Sequence, residues 1–165
     1  MLMAVAGLAL LCSGTATAQS WTLYVPPEGD FRVLLPGTPT RVDHRSGSVE
    51  YRVDAPQQRY SVFRHDPRRL AGKTAKADIT ERLGDSDEHA RNTGDDDGDL
   101  AANEFTFRIA SMMTMHRVIT DAGHYYELVV QAPSEDGLSR PLARDFFNSF
   151  QLGAGVGSKF PALTG

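Results

Sequence analysis

The chain has 165 residues, a net charge of −4 and a pI near 5.7. Fourteen of its 17 basic residues are arginines scattered along the chain, and without a basic stripe to neutralise phosphates the composition argues against nucleic-acid binding. The single cysteine, Cys12, allows no intrachain disulfide and no thiolate metal cluster.

Met1 to Ala18 carry no charged side chain and end in Ala16-Thr17-Ala18, the A-x-A pattern that a signal peptidase accepts. The expectation is a leader over 1–18, a periplasmic or secreted mature chain from Gln19, and no stable membrane span after cleavage. No Lys or Arg precedes the apolar stretch, which leaves open a start upstream of Met1. An uncleaved anchor is the poorer reading, because Gly7, Cys12, Ser13 and Gly14 interrupt a segment already short for roughly 30 Å of hydrocarbon. A lipid-modified Cys12 is disfavoured by Leu11, which stands where a small residue is wanted. What remains suits one core: a single α+β domain over 19–152 and a flexible Gly-rich tail over 153–165.

In chain order, Trp21, Leu23 and Val25 alternate as the apolar face of a first strand, and Phe31, Val33 and Leu35 as that of a second. Pro36-Gly37-Thr38-Pro39 stops the second strand, since proline has no N–H for a ladder. Val49, Tyr51 and Val53 begin a hairpin that turns at Asp54-Ala55-Pro56-Gln57 and returns through Tyr60 to Arg64. Thr74 to Arg91 reads as a weak helix with Ile79, Leu83 and Ala90 on its apolar side and Gly84 against it. Phe105, Phe107 and Ile109, then Met113, Met115 and Ile119, then Tyr126, Leu128, Val130 and Ala132 form three alternating runs, predicting an antiparallel meander. Ser139 and Pro141 open a final helix whose stripe, Leu142, Ala143, Phe146, Phe147 and Phe150, is expected to be buried.

The pattern Tyr24, Gly29, Phe31-x-Val33-x-x-Pro36-Gly37-Thr38-Pro39, closed by Phe146-Phe147-Asn148-Ser149-Phe150-Gln151-Leu152, resembles small exported bacterial proteins of the PsbP-like group over residues 20–152. The resemblance implies a curved antiparallel sheet packed against helices, an α/β/α sandwich. It implies no catalytic residue.

Thr93 to Glu104 reads T-G-D-D-D-G-D-L-A-A-N-E. Against the calcium loop D-x-D-x-D-G-x-I-x-x-x-E, carboxylates fall at the third, fifth and twelfth places, with Gly98 at the sharp turn. Asp95, Asp97, Asp99 and Glu104 are therefore the metal candidates, for calcium, because a hard cation needs several converging oxygens. Thr93 replaces the first aspartate and a strand follows Glu104, so a solvated acidic turn is the simpler account.

His44, His65, His89, His116 and His124 stand in no compact ligand spacing. His116 and His124 fall on adjacent strands and are the one pair considered, on the face opposite Met113 and Met115, with a solvent-facing polar surface as the alternative. Met113 and Met115 share a face and read as core filling in preference to copper ligation. Gly72-Lys73-Thr74 lacks the earlier glycine of a phosphate loop, Pro67 standing there, and no G-x-S-x-G occurs. These readings favour an exported non-catalytic module that binds an envelope component, a protein partner or a small ligand, over a weak calcium-binding or metal-dependent enzyme centred on the acidic loop.

Overall fold

A computed structural model describes residues 20–84, 102–121 and 123–153. The alternating runs pair as antiparallel ladders throughout. Six strands, β3 (Thr40–Asp43), β4 (Val49–Asp54), β5 (Arg59–His65), β6 (Ala102–Ile109), β7 (Met112–Asp121) and β8 (His124–Ala132), form one open sheet in the order β3-β4-β5-β8-β7-β6. The expected hairpin is β4–β5 and the expected meander is β6–β7–β8. They are joined along β5 and β8, where Ser61 lies opposite Val129 and His65 opposite Tyr125. A smaller sheet has the order β1-β2-β9, with β1 at Thr22–Tyr24, β2 at Phe31–Leu35 and β9 at Gln151–Leu152. The polar β3 and the two-residue β9 carry too little alternation to be legible in the sequence.

One face of the large sheet presents Tyr51, Tyr60, Val62, Tyr126, Leu128 and Val130 to Phe31, Val33 and Leu35 of β2 and to helix α2 (Arg140–Ser149). Phe146 meets Tyr60 edge-on with ring centroids 5.4 Å apart, and Phe31 stacks on Phe150 at 5.3 Å. Each buried phenylalanine contributes about 1.5–3 kcal/mol relative to exposure. Leu142 departs from the expected stripe: it is 37% exposed. Ala143, Phe146, Phe147 and Phe150 keep the i, i+3, i+4, i+7 spacing that faces the sheet, and Leu142 lies on its flank.

The first strand also faces differently from the alternation of Trp21, Leu23 and Val25. Tyr24 pairs with Val33 and Thr22 with Leu35, and cross-strand partners share a face, so Tyr24 packs near Tyr51 while Leu23 and Val25 point out, 47% and 42% exposed. Trp21 still reaches the core, edge-on to Tyr60 at 5.3 Å.

The opposite face of the sheet is covered by α1 (Ala75–Leu83) and a 3-10 turn at Pro67–Leu70. The Thr74 hydroxyl caps α1 by accepting from Ala77 N at 3.2 Å, and the helix ends at Gly84, whose φ of +72° favours glycine. Ile79 seats among Phe105, Phe107, Val118 and Tyr125, a second apolar cluster. Among the described residues no helix is long and apolar enough to cross a membrane. The leader at 1–18, positions 85–91 of the expected helix with Ala90, most of the acidic loop and the tail after Gly153 lie outside the described residues.

Candidate functional site

On the α1 side of the sheet the alternation places Ser61, Phe63 and His65 from β5, Glu127 from β8, and Thr114 and His116 from β7 on one face. From the sequence His116 was expected on a solvent-facing surface. It is 4% exposed, because α1 and the 3-10 turn roof this face and turn its polar side chains into an interior network.

Glu127 is the centre of that network and is 1% exposed. Its Oε2 accepts from His65 Nε2 at 2.8 Å and from Arg82 Nη2 at 2.6 Å, and its Oε1 from His116 Nδ1 at 2.7 Å. Burial pushes the carboxyl pKa up. The hydrogen bonds from His116 and His65, with the charges around them including Arg82, outweigh burial and hold it well below the usual carboxylate range. An ionised carboxylate only accepts, so both facing ring nitrogens carry protons. In a neutral His65 ring Nδ1 then accepts from the Ser48 hydroxyl at 2.8 Å, and Ser48 in turn receives Ser46 Oγ at 3.3 Å. His116 Nε2 reaches Thr114 Oγ1 at 2.9 Å.

A second buried carboxylate, Asp78 of α1, fixes two guanidinium groups at once. Its Oδ1 accepts from Arg69 Nε at 3.0 Å, and its Oδ2 from Arg82 Nε at 3.1 Å and from the Tyr125 hydroxyl at 3.0 Å. Burial raises the Asp78 pKa, while the Tyr125 hydrogen bond and the two arginines lower it by more, leaving it below its ordinary value. Arg69 is presented by the 3-10 turn, whose N-cap Asp66 accepts from Arg68 N at 2.9 Å. At the rim, Glu50 accepts from Ser61 Oγ at 2.7 Å and meets His44 Nε2 at 3.0 Å.

Beside this network lies a cavity of about 170 Å³ lined by His44, Ser46, Ser48, Phe63, His65, Arg69 and Arg82. A second cavity, about 300 Å³, reaches His65 from the side of Asp30, Arg64, Asp66 and Gly123. Gly47, with φ of +82°, makes the turn that carries Ser48 into place. Chemically, Ser48, His65 and Glu127 stand in the hydroxyl–imidazole–carboxylate order that activates a nucleophile. Here the hydroxyl lies on Nδ1, and the carboxylate is shared with two further donors.

Of the calcium candidates, Asp95, Asp97 and Asp99 lie outside the described residues. Glu104 is placed on β6 opposite Arg117, which donates through Nε at 2.9 Å and also through Nη2, and whose guanidinium lies 5.1 Å from the centre of the Phe147 ring. Among the described residues no group of three or more ligating side chains converges on a metal position. His124 pairs with Asp121 and His116 with Val129, so the register sets the two histidines far apart along the β7–β8 ladder. His89 is outside the described residues. Met113 and Met115 are buried in the α2-side core, consistent with filling it.

Sequence reasoning missed Ser48, Arg69, Asp78, Arg82 and Glu127, and treated His65 as solitary. One signal was available: Glu127 stands between Tyr125 and Val129 in phase with a sheet face, a charge where an apolar side chain would fit. No protein-family model and no curated protein matches this chain.

Proposed function

We propose that the chain is an exported, non-catalytic binding module of the bacterial cell envelope, of the PsbP-like group, taking its ligand or partner at the cavity between the β3–β4 turn and α1. The observation that carries this reading is a division of labour among the polar groups. Both oxygens of Glu127 and of Asp78 are committed to internal partners, while the cavity beside them keeps hydroxyl, imidazole and guanidinium groups along its wall. Fully satisfied buried networks rigidify a scaffold, and a rigid concave wall with a few polar groups suits binding. An antiparallel sheet with a helix on each face supports the PsbP-like resemblance, and the uncharged Met1–Ala18 segment with its A-x-A ending supports export.

The test is thermal unfolding of the chain against fractionated envelope extract, separated into small molecules and proteins. At least one fraction is expected to raise Tm; no shift with any fraction would overturn the binding reading. A second reading, an acyl-transfer enzyme, is favoured by the Ser48–His65–Glu127 line alone. Turnover of p-nitrophenyl acetate that disappears in Ser48→Ala would establish it in place of the first.

A further inference from the structure

We propose that the cavity lined by Arg69 and Arg82 is a site for a small oxyanion, the carboxylate or phosphate group of a ligand, held in the fork of Arg69 and against Arg82. The inference rests on the binding-module reading and names the chemistry of that site.

Asp78 takes both arginines through their Nε atoms, one on each carboxylate oxygen, so the two guanidinium groups are held side by side. Arg82 spends Nη2 on Glu127. Among the described residues, both terminal nitrogens of Arg69 and Nη1 of Arg82 take no hydrogen-bond partner. A guanidinium anchored by Nε and open at its terminal nitrogens presents paired N–H donors in the planar spacing that carboxylate and phosphate oxygens accept.

Both side chains are only about a quarter exposed, 26% for Arg69 and 24% for Arg82. In such a partly desolvated place an anion gains more from a positive charge than it would in bulk water. His44, Ser46 and Ser48 line the same cavity. The volume, about 170 Å³, is enough for a small acid or a phosphate group.

The experiment compares the chain with Arg69→Gln and Arg69→Lys by thermal unfolding and calorimetry, titrating inorganic phosphate in one arm and sodium succinate in another, with sodium chloride at matched ionic strength as control. The unsubstituted chain is expected to gain several degrees in Tm with at least one anion beyond the chloride control. Affinity should fall at least tenfold in both variants; the lysine, which keeps the charge but loses the fork, reports the geometry even if the glutamine variant folds poorly. The arm that responds says which oxyanion is taken. Equal shifts in all three proteins, or none beyond chloride, would overturn the site. If the anions fail while an envelope fraction still raises Tm, the anion site falls and the binding-module reading stands.

Discussion

His65 reaches Glu127 across 2.8 Å although its direct cross-strand partner is Tyr125 and that of Glu127 is Phe63. The contact is a diagonal between neighbouring strands, within reach of long side chains on one face. It ties the hairpin to the meander along the β5–β8 seam, so the network is a structural joint as well as the wall of a cavity.

Replacing Glu127 with glutamine leaves Arg82 without one of its counter-ions and two histidine N–H groups without an ionised acceptor. Breaking a buried ion pair from one side typically costs about 3–5 kcal/mol. Urea denaturation of Glu127→Gln is expected to show a loss of that order with an unchanged slope; a loss under about 1 kcal/mol would mean the network contributes little to folding.

Acid should destabilise the protein through the same carboxylates. Glu127 and Asp78 have folded pKa values below their ordinary ones, so the native state binds fewer protons than the unfolded chain where they titrate. Their contribution is fully present above the unfolded values, about 4.3 for Glu and about 3.9 for Asp, and is lost progressively as pH falls below them. Urea midpoints should be flat from pH 7 to about 5 and fall steeply toward pH 3, with a shallower fall in Glu127→Gln. An unaltered slope in that variant would remove Glu127 as a cause.

All five tyrosines resist ionisation in the folded state. Burial is the first cause in each: Tyr60 is pushed up to about 12, and Tyr24, Tyr51, Tyr125 and Tyr126 are also raised, the last three helped by carboxylates they face. Phenolate absorbance should stay low at pH 10, where a free tyrosine is about half ionised, and appear together with unfolding. The stability these groups contribute is complete below about pH 10 and declines above it. A reversible titration of several tyrosines near pH 10 with native circular dichroism would contradict the burial described.

The orientation of α2 can be tested with two alanines. Phe147→Ala removes a ring buried against the sheet and should cost about 3–5 kcal/mol, whereas Leu142→Ala, at an exposed position, should stay within about 0.5 kcal/mol. Comparable losses at both positions would place Leu142 in the core after all.

Strands β1 and β2, the hairpin, the meander and the aromatic helix stripe were legible in the sequence, whereas β3 and β9 were not, because period-2 and period-3.6 patterns declare which side chains share a face only where apolar and polar residues alternate. Val49, Tyr51 and Val53 or Met113 and Met115 needed no tertiary information to be grouped. The same patterns do not say what covers a face. Leu23 and Val25 look inward by alternation, yet the β1–β2 register turns them out and brings Tyr24 in. His65, His116 and Glu127 look like a wetted surface until α1 and the 3-10 turn close over them, and the pairing of β5 with β8 then brings a serine, two histidines and a glutamate from four strand and turn positions into contact. Tertiary structure alone decided that these polar groups are interior, since desolvation and hydrogen-bond reach depend on which distant segment packs above a residue and leave no trace in the spacing along its own strand.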